Sequence, residues 1–174
     1  GNSSLLAAHV LFSKDTTHYT EQNGRLEELL DASSSNRYAW VNVKTAWTAR
    51  LYSESIVSYG RVERKREGFI DYPIQAGDVA DTRSFEVLGF KQDWSLDVSP
   101  RHTLSWGLDV RRLESSYDYH SFSIVSDPLF MNEGEPHITA RDSRLAPSGN
   151  SYGIYLAGRM RLASSVVAEA GVRW

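Results

Sequence analysis

The chain contains no cysteine. That absence excludes disulfides, thiol nucleophiles, cysteine-ligated zinc and iron–sulfur clusters. Positive charge is not in excess either: 19 Lys and Arg stand against 22 Asp and Glu, for a net charge of −3. A surface that tracks phosphates leaves a positive excess, so the balance argues against a general nucleic-acid binder. No apolar run approaches the roughly 20 residues of a transmembrane helix. Hydropathy alone then reads as soluble, but a membrane β-barrel escapes that test because only alternate residues of its strands are apolar. The opening Gly1-Asn-Ser-Ser-Leu5 shows no basic region, apolar stretch and cleavage site. A removed signal or an internal piece is therefore expected.

What is present is alternation. The chain has 174 residues, 41% of them hydrophobic, enough for one domain. In 150–162, Tyr152, Ile154, Leu156, Met160 and Leu162 fall on one face, with Ser151, Tyr155, Arg159 and Arg161 on the other. After Ser164-Ser165, Val166, Ala168, Ala170, Val172 and Trp174 oppose Val167, Glu169, Gly171 and Arg173. Such period-2 runs joined by a tight link predict a hairpin. In 82–98, Leu88, Phe90, Trp94, Leu96 and Val98 share a face, with Gln92 the exception. Ser99-Pro100-Arg101 supplies a turn into 103–121, where Leu104, Trp106, Leu108 and Val110 oppose Ser105, Gly107, Asp109 and Arg111. Segments 37–47 and 51–66 form a weaker pair, and 5–19 is a further strand, which makes seven. Gly24 to Ala32 has helix formers with Leu26, Leu29 and Leu30 near helical spacing, so a short helix in a loop is an alternative there.

The links between strands alternate in length. Short ones are expected near 48–50, 99–101 and 164–165, and long ones near 20–36, 67–81 and 122–149. In an up-and-down meander all the long connections lie at one end. Short turns at one end and long loops at the other describe an outer-membrane barrel. The strands exceed the about 9–11 residues needed to span, and Trp47, Trp94, Trp106 and Trp174 fall toward the short-turn side, where an aromatic girdle sits. The fold class expected is all-β: an antiparallel up-and-down meander forming part of a transmembrane outer-membrane barrel. A soluble antiparallel barrel or sandwich remains the alternative, because alternation does not say which face is inside.

Two hairpins resemble those of TonB-dependent receptors. One is Tyr152-Gly-Ile-Tyr-Leu-Ala-Gly-Arg-Met-Arg-Leu162 with the return Val166-Val-Ala-Glu-Ala-Gly-Val-Arg-Trp174, whose Gly171, Arg173 and Trp174 match a Gly-x-Arg-aromatic ending. Gly158 stands where that family often has an acidic residue. The other runs from Phe90 through Trp94, Pro100 and Trp106 to Gly107, continuing to Tyr117-Asp-Tyr119. The resemblance implies an importer of a scarce nutrient such as a siderophore, cobalamin or glycan. It also implies a barrel of about 22 strands around a plug, contacted by a TonB-type energy transducer through that plug. No plug-like segment is legible here, so residues 1–174 are expected to be a partial barrel set in outer-membrane lipid. A complete small outer-membrane barrel (adhesin, channel or lipid enzyme) is the alternative if Gly24–Asp31 adds an eighth strand. A soluble lipocalin-like binder is another.

No catalytic residues, cofactor or metal are assigned. His9, His18, His102, His120 and His137 lack metal-ligand spacing, and there is no nucleophile elbow, P-loop or dinucleotide motif. A Ser, His and Asp gathered from separate strands stays possible, but the expectation is that the chain is not an enzyme. Tyr117, Tyr119, His120, Phe122, Phe130 and His137 border the longest loop and are candidate ligand contacts on an extracellular rim. Asp109, Arg111, Arg159, Arg161, Glu169 and Arg173 are expected to face the lumen, steering anions or pairing with a plug. The run Arg61–Glu67 holds four basic residues interrupted by Glu63 and Glu67, and a solvated strand end is favoured over a phosphate site.

Overall fold

In the computed structural model the described residues are 3–24, 26–126 and 136–174, with Leu26 described by its backbone alone. They form one antiparallel sheet: β1 (Ser3–Asn23), β2 (Leu26–Ala46), β3 (Leu51–Tyr72), β4 (Gln75–Ser99), β5 (His102–Val125), β6 (His137–Leu145), β7 (Ser148–Arg161) and β8 (Val167–Arg173). The order is β1-β2-β3-β4-β5-β7-β8, with β6 also paired to β5. β1 and β8 are the two edges of this open sheet.

Eight elements occupy seven positions. β6 and β7 run along β5 in one register, Tyr117 facing Leu145 and Glu114 facing Ser148. Between them lie Ala146 and Pro147. A proline nitrogen has no hydrogen to give to a ladder, but the Pro147 carbonyl still accepts from the Ser115 amide at 2.9 Å. The strand is nicked by one residue's chemistry, not ended.

Two of the three long connections expected at the far end are strand. β1 and β2 stay paired from Ser3–Ala46 up to Asn23–Leu26, and Gly24 takes the turn at φ 66. β3 and β4 stay paired up to Tyr72–Gln75, with Pro73 and Ile74 between them. The helix alternative at Gly24 to Ala32 fails for the same reason: Glu27–Ala32 are paired across to both β1 and β3. Period 2 is faint in these stretches because neither face is apolar. The third, expected over 122–149, is narrowed to 126–136, because 122–125, 137–145 and 148–149 belong to β5, β6 and β7. The short turns stand as expected. At 47–50 the Thr48 hydroxyl accepts the amides of Arg50 and Leu51, and Pro100-Arg101 and 162–166 close the others.

Burial is inverted relative to a soluble domain, and among the described residues no hydrophobic side chain is buried. Cross-strand pairing carries the apolar residues into one continuous band: Ala8, Val41, Val57, Phe90, Val110 and Tyr152 follow one another across six positions. This band is open, with Val10 81%, Ile154 56% and Leu88 54% exposed. On the opposite face the side chains of Asp109 and Asp93 are only 14% and 21% exposed. A concavity of about 520 Å³ on that polar face is lined by residues from Leu5 on β1 to Tyr155 on β7. The sheet therefore curves with its polar face inside and its apolar face outside. Trp47, Trp94 and Trp106 stack along the short-turn edge of the band, with centroids 5.9 and 6.2 Å apart. Trp174 does not join that row; it is bonded to Ile154 further from the turns. Polar side chains within the band form pairs with one another. The Ser55 hydroxyl donates to Gln92, which accounts for the exception in β4, and the Trp47 indole donates to Ser53.

Candidate functional site

The concave face has two levels. Nearer the short turns it carries a ladder of paired charges. Glu54 accepts from Asn42 at 2.5 Å and faces the Lys44 ammonium at 3.5 Å. Asp93 takes the Lys91 ammonium at 2.6 Å and the Tyr155 hydroxyl at 2.9 Å. Tyr155 reaches Asp93 by crossing β5 over Gly107, where an added Cβ would lie 2.6 Å from its ring. Arg111 grips Asp109 through two nitrogens at 3.0 and 2.7 Å. The six residues expected at the lumen, Asp109, Arg111, Arg159, Arg161, Glu169 and Arg173, all share this face. Glu169 stands directly opposite Arg159. Even so, Arg159, Arg161 and Arg173 form no ion pair among the described residues.

Nearer the far end lies a cationic cluster. β3 and β4 place Arg66 opposite Asp81 and Arg64 opposite Arg83. Asp81 is buried, one of two such side chains among the described residues. Arg83 donates to both its oxygens at 2.8 and 2.6 Å, and Arg66 adds a contact at 3.3 Å. The hydrogen bonds and charge of Arg83, helped by Arg66, hold the Asp81 carboxyl below its ordinary range against the opposing effect of burial. Arg64 forms no ion pair among the described residues. Three guanidiniums around one carboxylate leave an excess of positive charge, which Asp15 across the same concavity of about 320 Å³ only partly offsets. Arg83 also lies over the Tyr117 ring, 5.0 Å from its centroid, and Tyr117 stacks on Tyr119 at 6.1 Å. Fixed guanidiniums beside aromatic faces can hold a planar or oxygen-rich anion.

The six rim candidates do not form one group. Tyr117 and Tyr119 face the cationic cluster from β5. His120 and Phe122 are even-numbered on the same strand and project from the convex face. There His120 bonds Asp142 at 2.7 Å and faces Asp78 at 3.6 Å, tying β4, β5 and β6. His137 begins β6 opposite Val125. Phe130 lies outside the described residues. Asp81 and Arg83 were not among the sequence candidates, and the run that holds Arg64 and Arg66 reads in sequence as a solvated strand end. Their signal was present: extending the alternation of β3 through 61–67 puts Arg64 and Arg66 together on the face of Glu54. Among the described residues no group of three His, Asp or Glu is placed to hold a metal ion.

No protein-family model and no curated protein sequence matches this chain. Among solved structures it is similar to the ferric yersiniabactin uptake receptor FyuA from Yersinia pestis, with a TM-score of 0.65 at 14% sequence identity. The match covers 98% of this chain and 25% of the receptor, so the chain spans about a quarter of that protein's length. At this identity the likeness is one of fold: the sheet has the form of an arc of such a barrel wall.

Proposed function

We propose that this chain is a segment of an outer-membrane receptor barrel of the TonB-dependent kind, which imports a scarce nutrient. The inverted burial carries the reading. An apolar face that is convex and open has no reason to exist in water, whereas lipid covers it at no cost to the polar interior. The open edges at β1 and β8 support a larger ring in preference to a small closed barrel, which would pair its first strand with its last. The fold likeness to an uptake receptor supports the same class. A plug within the ring would be the route to a TonB-type transducer, and Arg159, Arg161 and Arg173, which form no ion pair among the described residues, would face it.

The substrate class follows from the cationic cluster. Arg64, Arg66 and Arg83 with Tyr117 and Tyr119 suit an anionic chelate or an acidic glycan better than neutral cobalamin. The test is growth of a strain lacking the full-length protein, supplied with ferric citrate or another carboxylate chelate as sole iron source. Growth is expected to return with the wild-type gene and to fall with Arg83→Gln. Sedimentation of the protein with soluble material, away from outer-membrane fractions, would defeat the reading.

A further inference from the structure

The basic run of β3 divides between two faces. Arg64 and Arg66 join the concave cluster; Arg61, Glu63 and Lys65 stand on the convex face, above the apolar band. There Arg61 lies directly opposite Arg37 of β2. Like charges at opposed positions repel unless something neutralises them. Arg61 is neutralised: it meets Glu86 at 3.0 Å and Glu63 at 2.9 Å, and Lys65 shares Glu63 at 3.6 Å. Arg37 forms no ion pair among the described residues. Its guanidinium instead lies over the Phe12 ring of β1, 5.9 Å from the centroid. Lys14, two residues along the same face of β1, also forms no ion pair among the described residues. Directly toward the band lie Val10, Phe12 and Val41, which are 81%, 60% and 42% exposed.

The geometry points to a lipid phosphate as the missing anion: Arg37, with Lys14, binds the phosphate headgroup of an anionic lipid whose acyl chains lie on Val10, Phe12 and Val41. This rests on the membrane reading of the convex face. Cations at the edge of an apolar band meet headgroups when acyl chains cover that band. The ring of Phe12 takes one face of the guanidinium, and the N–H groups at its edge stay free for two phosphate oxygens. Lys14 adds a point charge. A free phosphate ion would use the two cations but none of the apolar surface beneath them, so the lipid is the source the surface favours.

The test uses the full-length protein in detergent micelles. Retention of phosphatidic acid is read by native mass spectrometry, with diacylglycerol as the phosphate-free comparison. Arg37→Gln is expected to weaken phosphatidic acid binding about fivefold, and the double change with Lys14→Gln about 25-fold. Diacylglycerol retention should not change, Arg64→Gln on the other face should have no effect, and inorganic phosphate should not displace the lipid. Equal retention by Arg37→Gln and wild type overturns the proposal, as does displacement by inorganic phosphate, which would mark a free-anion site. A protein that stays monodisperse without detergent and retains neither lipid removes the barrel reading and this proposal with it.

Discussion

The two ends of the β3–β4 hairpin are built from the same backbone ladder but for different surroundings. Toward the short turns, Val57 and Tyr59 face Phe90 and Leu88 on the convex side, while Glu54 and Asp93 lie on the concave side. Toward the far end the convex side carries Glu63, Lys65, Ser84 and Thr82, and the concave side Arg64, Arg66, Arg83 and Asp81. One half sorts apolar from polar; the other mixes them on both sides. Backbone pairing is uninterrupted across the change. The ladder thus holds the sheet together in both halves, and the side chains report what each half touches. A strand can change what its faces carry without ending.

The sharpest way to break this comparison is to put the same charge in each half. Ile154→Arg at the centre of the band is expected to cost about 2–4 kcal/mol of stability in lipid vesicles. Ser84→Arg, on the convex face of the far half, is expected to stay within about 0.5 kcal/mol. Denaturant unfolding of the full-length protein in vesicles measures both, and equal costs would mean that the band does not face lipid. Next in size is Gly107→Val. An added Cβ there falls 2.6 Å from the Tyr155 ring and 2.7 Å from an Asp93 oxygen. Overpacking of about 1–3 kcal/mol is expected, more than the about 1 kcal/mol for Tyr155→Phe, which loses only the hydrogen bond. The same unfolding curves rank the two.

Two pH effects should be confined to the far half. Asp81 is held below its ordinary value of 3.8, so its contribution is complete above that value and is lost as pH falls through its lower folded value. Amide exchange in β3 and β4 near Arg66 and Arg83 should quicken on acidification, and Asp81→Asn should remove the dependence. The smallest effect is expected at His120. The hydrogen bond that His120 donates to the Asp142 carboxylate, with the nearby charges of Asp142 and Asp78, raises its pKa above 6.5. The stabilisation is therefore full below 6.5 and disappears as pH rises through the higher folded value. Exchange of β6 amides should rise over that window and become flat in Asp142→Asn.

Legibility followed the same division. Residues 88–110 and 150–174 declared themselves as strands because apolar and polar positions alternate. Residues 20–36 and 67–81 read as loops because a strand without a single apolar face shows no period-2 alternation. Asp109 and Arg111 followed from parity alone, whereas the place of Glu54 beside them emerged only with the pairing of β3 and β4. The cluster of Arg64, Arg66, Asp81 and Arg83 did not follow from parity, since it needs the register that sets Arg66 against Asp81 and Arg64 against Arg83. Parity likewise separated Tyr117 and Tyr119 from His120 and Phe122, although adjacency in sequence had grouped them.

By itself the sequence determined the seven sheet positions, the short turns, the identity of the apolar face and the absence of thiol chemistry. These are local properties, set by period-2 spacing, turn residues and composition. Only the tertiary structure decided which face is concave, that the far-end connections are paired strand, and which charges neutralise one another. Curvature and register depend on how each strand sits against its neighbours, and no single segment contains that information. The inside and outside of this sheet, and with them the reading of the molecule, come from that pairing.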